Sequence, residues 1–238
     1  MLTTNAIVLS KIRYRDNDLI IKCYTQEKGL VSYLLRGVLK SKKGKTRPAY
    51  FQLLSQLQIV AIHKSNRSLQ TIKEVKLNYL YCSLHTEVIK SSIALFLAEV
   101  LTNSLKEEEQ NEILFSYLET TFQWLDNHTE FSNFHLLFLL NLTKHLGFYP
   151  DSSNINYPFF NLKEGSLVKK NIDSYTISDE NFMILKQLLG TTFDTLSSIR
   201  INSLERQSFL SMILLYFELH LGNFKKPKSL QILNQVFS

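Results

Sequence analysis

The chain of 238 residues has little of what disulfide scaffolds, glycine-rich catalytic loops and membrane spans are built from. It contains two cysteines, Cys23 and Cys82, and seven glycines, which excludes a disulfide framework and favours a reducing compartment. Its longest apolar runs, residues 93–98 and 212–217, are far shorter than the roughly 20 residues of a membrane-spanning helix. The first residues also lack the layout of a signal peptide. We therefore expect a cytoplasmic protein with no membrane partner.

Signatures of catalysis and of metal binding are also missing. The sequence has no GxSxG, HExxH or CxxC pattern, each of which places reactive or ligating groups at a fixed spacing. The stretch from Gly37 to Thr46 resembles a phosphate-binding loop, but it has six residues between its glycines where that loop has four, and Pro48 follows. We expect a protein that is not an enzyme and that needs no cofactor.

Acidic residues are scarce in the first third of the chain, where basic residues are abundant. Residues 1–80 hold 15 Lys and Arg but only four acidic residues, a net charge of +11, whereas residues 81–238 carry a net charge of −5. A metal-dependent nuclease needs converging carboxylates near its basic surface, and the four available are Asp16, Asp18, Glu27 and Glu74. The imbalance favours a polyanionic partner such as nucleic acid.

The pattern of apolar residues changes at the same place as the charge. Short β-type runs, some with period-two alternation, are predicted in the first third at residues 5–10, 18–25, 30–37, 54–63 and 68–75. Five strands in about 80 residues suit an OB-fold barrel, a common binder of oligonucleotides. We expect an α+β protein of two domains, with the OB-fold at residues 1–80.

Helical periodicity dominates the remainder, residues 81–238. Residues 131–146 are apolar around much of the predicted helix, which is typical of the centre of a bundle, and Ser178 and Ser203 are predicted to cap later helices. The helical pattern lapses at about residues 148–176, where residues 159–168 predict a small hairpin. This part is therefore predicted to be an all-α domain with a hairpin insertion.

The basic residues of the first domain are the candidates for binding nucleic acid. The segment 40–47 is the densest, with five basic residues in eight, and aromatic side chains lie among the charges, where they can stack on bases. A charge run alone is often a solvated loop, but here the excess extends over the whole predicted barrel. The predicted DNA-binding residues are Arg13, Arg15, Lys22, Arg36, Lys40, Lys42, Lys43, Lys45, Arg47 and Tyr50, and Tyr14 is a further candidate for stacking.

The order of these features resembles the RecO family of bacterial recombination mediators. The stretch AIVLSKIRYRDNDLIIKCYTQEKGLVSYLLRGVLKSK at residues 6–42 is similar to the start of that family. HLGFYPD at 145–151, FFNLKEGSL at 159–167 and YFELHLGNFKKPKSLQILNQV at 216–236 look like its later landmarks. The resemblance extends over residues 5–236, and it rests on the ordered set, because no single element is a strong motif.

The resemblance implies a role in DNA repair and homologous recombination, without a chemical step. Such a protein binds single- and double-stranded DNA, anneals complementary strands coated by single-strand-binding protein, and works with RecR to help load RecA at the nucleoid. Family DNA-binding residues correspond here to Arg36 and Lys40. Many members carry a four-cysteine zinc module where residues 149–170 lie, but this segment has no cysteine, so we expect no zinc and a hairpin held by packing.

The resemblance also implies a site on the helical domain for the acidic, Phe-terminated tail of single-strand-binding protein. Such a tail needs an apolar pocket with a basic rim, and the candidates are Arg200, Arg206, Lys225 and Lys226. The alternative functions are a general single-stranded nucleic-acid-binding OB protein without annealing activity and a metal-dependent nuclease.

Overall fold

The first part of the chain forms a five-stranded antiparallel sheet. A computed structural model describes residues 1–40, 47–105 and 110–237. The strands are β1 (Leu2–Tyr14), β2 (Asp18–Thr25), β3 (Gly29–Leu35), β4 (Gln56–Ile62) and β5 (Thr71–Leu77), in the spatial order β3-β2-β1-β4-β5. A five-stranded sheet followed by helices is the fold class that the sequence predicts, and the prediction is confirmed.

The two edge strands approach each other beside residue 70. Tyr33 and Gln70 form an isolated parallel bridge. In it, the Leu34 N–H donates to the Gln70 carbonyl at 3.0 Å, and the Gln70 N–H donates to the Ser32 carbonyl at 2.8 Å. The sheet is therefore curled so that its edges meet at this one bridge, while the five-strand ladder itself stays open.

Alternate residues of the strands fill the inside of the curled sheet. Leu19, Ile21 and Cys23 of β2 belong to one buried cluster together with Tyr33 and with Phe51, which lies in a 3₁₀ turn at Pro48–Phe51. Because side chains alternate along a strand, the residues between them point outward. Burial raises the pKa of the Cys23 thiol far above its ordinary value, so this cysteine is an inert core residue.

Strand β1 extends beyond the predicted residues 5–10 at both ends. Its C-terminal part pairs with β2 as far as Tyr14 opposite Asp18, after a register shift between Val8 and Ser10. Charged residues such as Arg13 hide this extension in the sequence, because they interrupt the alternation of apolar residues. Backbone pairing with β2 supports the strand there, and the β1–β2 hairpin is longer than predicted.

The described helices follow after residue 87. They are α1 (Val88–Ser104), α2 (Glu112–Asn127), α3 (Phe134–His145), α4 (Glu180–Leu188), α5 (Ser203–His220) and α6 (Leu230–Val236). Helix α3 is buried along nearly its whole length, as its apolar circumference predicts.

Two predicted helix caps are wrong by one residue. The N-cap of α4 is Asp179, whose carboxylate accepts from the Asn181 N–H at 3.0 Å. The N-cap of α5 is Asn202, which accepts from the Glu205 N–H at 3.0 Å while the Glu205 carboxylate accepts from the Asn202 N–H at 2.8 Å. Ser178 and Ser203 are also good capping types, so residue type alone did not fix the position.

The predicted hairpin is present and gains a third strand. Strands β6 (Phe159–Asn161) and β7 (Ser166–Val168) pair antiparallel, and β8 (Thr176–Ile177) pairs with β6. Phe160 and Leu167 are buried, and His220 of α5 donates from Nε2 to the Leu162 carbonyl at 2.9 Å. The hairpin is thus held by packing and hydrogen bonds to α5.

The chain divides into two compact units. One contains Met1–Asn127 with Pro227–Ser229, and the other contains His128–Lys226 with Leu230–Ser238. Helices α1 and α2 therefore share a unit with the sheet, while the domain boundary at residue 80 stays a prediction. Over the described ranges, no helix is both long and apolar enough to cross a membrane.

Candidate nucleic-acid interface

The register of β1, β2 and β3 places a mixed row of side chains on the outside of the sheet. Lys22 lies opposite Ser10 on β1 and opposite Ser32 on β3. The next outward row consists of Ile12, Ile20 and Leu34, and Tyr14 lies beyond it, opposite Asp18. Directly opposed residues on one face are close enough to act together, so a cation, an aliphatic row and an aromatic ring share one surface.

This surface is open to solvent at the end of the β1–β2 hairpin. Ile12 is 60% exposed and Tyr14 is 38% exposed. Exposure of an apolar side chain to water does not stabilise the folded chain. Arg15, whose φ of 55° is left-handed, holds its guanidinium 5.2 Å from the centre of the Tyr14 ring. An apolar row of one exposed and two half-buried side chains, beside a ring and cations, suits the faces and sugars of unstacked nucleotides.

Two neighbouring turns bring four of the predicted cations together. The Asp18 carboxylate accepts from the Gly37 N–H at 2.8 Å, and the Leu39 N–H donates to the Asn17 carbonyl at 3.1 Å. These bonds fasten the turn between β1 and β2, which carries Arg15 and follows Arg13 at the end of β1, to the turn that carries Arg36 and Lys40. All four basic residues are exposed, so positive charge is concentrated at this end of the sheet. We call this part of the sheet the basic end.

The acidic residues of the basic end have structural tasks. Asp18 connects the two turns, and the Asp16 carbonyl accepts from the Arg13 guanidinium at 3.1 Å. In the ranges that the structure covers, no three His, Cys, Asp or Glu side chains come together as a possible metal site. The Asp18 carboxylate therefore acts as a turn group here, as Asp commonly does, whereas Asp16 contributes its backbone carbonyl.

The remaining predicted residues have different settings. Arg47 is exposed, and its carbonyl accepts from the Tyr50 N–H at 3.0 Å at the start of the 3₁₀ turn. The Tyr50 ring is partly buried against the core of the sheet, which leaves less of it to stack than for Tyr14. The predicted residues Lys42, Lys43 and Lys45 lie outside the described residues.

Sequence reasoning missed the aliphatic row and one group of cations. Ile12 and Ile20 look like core residues in the sequence, and only the register after the Val8/Ser10 shift shows that they point outward. In the sequence, Lys64, Arg67 and Lys73 are only part of the basic excess of residues 1–80, but in the structure they line one cavity at the loop between β4 and β5. Basic residues at such a loop in a predicted OB-fold are a signal that could have singled them out.

In the second unit, two of the four predicted partner-binding residues line the same cavity. Arg200 and Arg206 border a cavity of about 740 Å³ together with Leu196, Ile199 and Glu205. Lys225 and Lys226 are not part of its lining, and the Lys226 ammonium lies 3.3 Å from the Glu218 carboxylate. The structure thus groups the two arginines and leaves the two lysines apart from them.

Arg206 is tied into the second unit by its side chain. It is 9% exposed, its Nε donates to Asn133 Oδ1 at 3.2 Å, and Nη2 donates to the Ile201 carbonyl at 2.9 Å. Burial and the Arg206 charge lower the pKa of His135 to about 3, so the neighbouring imidazole is neutral at physiological pH. Arg200 is exposed and is the arginine better placed to meet a partner.

Comparisons with known proteins agree with this fold. Residues 1–81 match the family described as "Recombination protein O N terminal", and residues 85–231 match "Recombination protein O C terminal". The chain belongs to the RecO family. A "DNA repair protein RecO" from Christiangramia forsetii is 48% identical to it over 237 residues, which cover 100% of this chain and 99% of the relative.

More distant RecO relatives align over the same length. The "DNA repair protein RecO" of Flavobacterium psychrophilum is 46% identical, over 99% of this chain and 98% of the relative. The corresponding protein of Phocaeicola vulgatus is 35% identical, also over 99% and 98%. The resemblance noted in the sequence is thereby confirmed for both parts of this RecO-family chain.

Proposed function

We propose that this protein is a non-enzymatic mediator of DNA repair and homologous recombination that binds DNA and anneals complementary single strands. The observation that carries the proposal is the basic end, where hydrogen bonds between two turns bring Arg13, Arg15, Arg36 and Lys40 together beside the exposed Tyr14. Membership of the RecO family supports it, because the relatives are named as DNA repair proteins. Its place of action is then the bacterial nucleoid in the cytoplasm.

The proposed mechanism requires positive charge to neutralise phosphates and a surface that holds the bases, and it involves no chemical step. Two DNA strands repel each other, and cations that neutralise their phosphates lower that repulsion and release counterions. The outward row of the exposed Ile12 and the half-buried Ile20 and Leu34, together with Tyr14, holds bases unstacked and ready to pair. Base pairing itself supplies the sequence specificity, so the protein needs no contacts that distinguish one base from another.

The proposed protein partners are those that the family resemblance implies. Single-strand-binding protein offers an acidic, Phe-terminated tail, and the cavity beside Arg200 offers it an exposed cation and three apolar side chains, those of Leu196, Ile199 and Ile201, in a lining that is otherwise polar or charged. Lys225 and Lys226 are the second candidate site. RecR is the proposed direct partner, and the protein and RecR together help to load RecA.

A general single-stranded nucleic-acid-binding protein without annealing activity is the second candidate function. The outward aliphatic row and the cations fit both candidates, because each requires bound single strands. Annealing of strands coated by single-strand-binding protein separates the two. A nuclease is disfavoured because Asp18 is engaged with Gly37, and incubation of labelled DNA with Mg²⁺ or Mn²⁺ checks this directly.

The test is a double substitution at the basic end. Arg36→Glu with Lys40→Glu should slow annealing of coated complementary oligonucleotides by about tenfold or more and flatten its dependence on salt, because two phosphate contacts are lost. The measurement is the rate of annealing by fluorescence quenching, with circular dichroism as a check of folding.

The matched control reverses the same charge elsewhere. Lys169→Glu with Lys170→Glu changes two exposed lysines of the second unit and should leave the rate within about twofold of the parent, because neither lysine is among the predicted DNA-binding residues. If the basic-end variant anneals as fast as this control, the proposed interface is wrong.

A further inference from the structure

The loop between β4 and β5 is folded around the side chain of Gln70. Gln70 Oε1 accepts from the Lys64 N–H at 2.8 Å, and Nε2 donates to the carbonyls of Lys64 at 3.0 Å and Arg67 at 2.7 Å. The Arg67 N–H also donates to the Lys64 carbonyl at 3.1 Å. One amide side chain therefore satisfies three backbone groups and gives the loop a defined shape.

The same loop is fastened to the edge of the sheet. The backbone of Gln70 bonds to Ser32 and Leu34 of β3, as described above, and the Tyr33 hydroxyl is hydrogen-bonded to His63 Nε2 at 3.0 Å. Groups that are held in place before a ligand arrives lose little entropy when it binds. The loop is in this sense a preformed part of the surface.

A small basic cavity lies within this loop. It has a volume of about 200 Å³, and the side chains around it include Lys64, Arg67, Lys73, Ile62, Leu69 and Thr71, with no carboxylate in the lining. Across residues 1–40, 47–105 and 110–237, none of the three cations forms an ion pair. Three unneutralised positive charges around one small cavity favour an anion.

We infer that this cavity binds one internal phosphodiester group of the DNA strand that the outer face of the sheet carries. The inference rests on the proposed function. The volume is that of about six or seven waters, at roughly 30 Å³ each, which suits a phosphate with part of its sugar. Cations can donate to the phosphate oxygens, while Ile62 and Leu69 offer an apolar wall to the sugar.

The position of the cavity connects it with the proposed interface. Lys22 lies opposite Ser32, and the Ser32 carbonyl accepts from the Gln70 N–H at 2.8 Å. The cavity is therefore one strand away from Lys22 on the path from β2 across β3. A DNA strand that starts at the basic end and crosses these rows of side chains reaches the loop, where the cavity binds its phosphate backbone.

The test compares two double substitutions in the full chain. Lys64→Gln with Lys73→Gln removes two charges from the cavity, and Lys28→Gln with Lys76→Gln removes two charges from exposed lysines of the same unit outside its lining. Binding of a fluorescent oligothymidylate is measured by anisotropy over a series of salt concentrations. Both pairs lower the net charge equally, so a difference between them reports a local contact.

We expect the cavity variant to bind about fivefold or more weakly than the parent. Its slope of log affinity against log salt should be flatter by about 0.7, the value for one phosphate on a single strand. The control should stay within about twofold. Equal losses of affinity in the two variants would contradict phosphate binding in the cavity without contradicting the proposed DNA binding. If the parent protein does not bind the oligonucleotide, both proposals are wrong.

A second arm identifies the source of the phosphate. The titrations are repeated with oligonucleotides that carry either a 5′-hydroxyl or a 5′-phosphate. An internal phosphodiester predicts the same loss with both, and a loss confined to the 5′-phosphorylated strand assigns the cavity to strand ends and contradicts the inference. A cavity variant that keeps its DNA affinity but loses binding of an acidic peptide also contradicts it.

Discussion

At the scale of single residues, Asp126 holds the segment that precedes α1 by hydrogen bonds. Its carboxylate accepts from three successive backbone N–H groups, those of Cys82 at 2.9 Å, Ser83 at 2.8 Å and Leu84 at 2.7 Å. The buried ammonium of Lys90 donates to the Asp126 carbonyl at 3.0 Å and to Ser83 Oγ at 2.7 Å. These bonds attach the segment after β5 to the end of α2.

We expect Asp126→Asn to lower the free energy of unfolding by about 2–4 kcal/mol. The amide has one acceptor oxygen where the carboxylate has two, and its NH₂ group would face a backbone N–H that needs an acceptor. Urea denaturation followed by circular dichroism measures the change. Asp179→Asn is the control, since Asn caps a helix about as well as Asp does, and it should cost less than about 0.5 kcal/mol. Equal costs would mean that the Asp126 contacts are not special.

The same residue gives the stability a dependence on pH. Burial by itself raises the pKa of Asp126, but the hydrogen bonds from residues 82–84 outweigh it, and the net pKa lies below the ordinary value of 3.8. A lowered pKa in the folded state means that the stabilisation is complete above pH 3.8 and is lost as the pH falls through the folded value. The difference between parent and Asp126→Asn should therefore shrink below that pH.

Nothing in the local sequence identifies Asp126 as important. It lies near the end of a predictable helix, and its partners are 42 to 44 positions away, so only the folded chain brings them together. The exposed position of Ile12 likewise depends on a register shift that the alternation of β1 does not reveal. Residue-scale roles that rest on long-range contacts are out of reach of the sequence, whereas the DNA-binding role of Arg36 and Lys40 is a prediction from charge and family resemblance.

At the scale of elements, the strands and helices were largely predictable, while their ends were less so. The predicted β-type runs overlap all five strands of the sheet, because each strand contributes buried side chains to a single core. The caps of α4 and α5 were misplaced by one residue because Ser178 and Asp179, like Asn202 and Ser203, are adjacent residues of equally suitable types. Which of them caps depends on the backbone angles and not on composition.

The hairpin of β6 and β7 shows how an element is held by contacts with a helix. Gly165 adopts a left-handed φ of +66°, and a Cβ atom placed there would lie 2.7 Å from the Tyr216 hydroxyl. That hydroxyl is fixed, because it donates to the Phe148 carbonyl at 2.7 Å and its ring is 1% exposed. The hairpin turn therefore tolerates no side chain, for steric as well as conformational reasons.

We expect Gly165→Ala to lower the free energy of unfolding by about 2–4 kcal/mol, the sum of a left-handed alanine and a steric clash in a packed region. Gly190→Ala is the matched control, because Gly190 has a φ of +80° but no atom within 4 Å of the added Cβ. It should cost about 1–2 kcal/mol. Thermal denaturation of both variants gives the comparison, and equal shifts would show that the contact with Tyr216 is unimportant.

At the scale of the whole molecule, the charge asymmetry and the compact units divide the chain differently. The net charge changes sign near residue 80, whereas the first compact unit continues through α2 to Asn127. The reason is that α1 and α2 cover part of the sheet. Tyr24 of β2 is 2% exposed, its ring stacks 6.2 Å from Phe115, and its hydroxyl donates to the Asn111 carbonyl at 3.4 Å.

The packing of α1 and α2 on the sheet determines which N-terminal fragment we expect to fold on its own. Ile7, Leu9 and Leu30 are at most 3% exposed, although they do not belong to the core inside the sheet, and Gln56 donates from Nε2 to the Glu119 carbonyl at 2.8 Å. A fragment of residues 1–80 exposes these side chains, at a cost of roughly 1.5–3 kcal/mol for each apolar one. Few small domains have that much stability to lose.

We therefore expect a fragment of residues 1–127 to unfold cooperatively in urea and to bind single-stranded DNA, while a fragment of residues 1–80 aggregates or lacks a transition. Circular dichroism and anisotropy with oligothymidylate measure the two properties. Residues 1–127 keep Lys22, the basic end and the cavity beside Gln70 together with the helices that cover the sheet, so the interface needs no part of the second unit. A stable, DNA-binding fragment of residues 1–80 would show that the change of charge, and not the packing of α1 and α2, marks the true domain boundary.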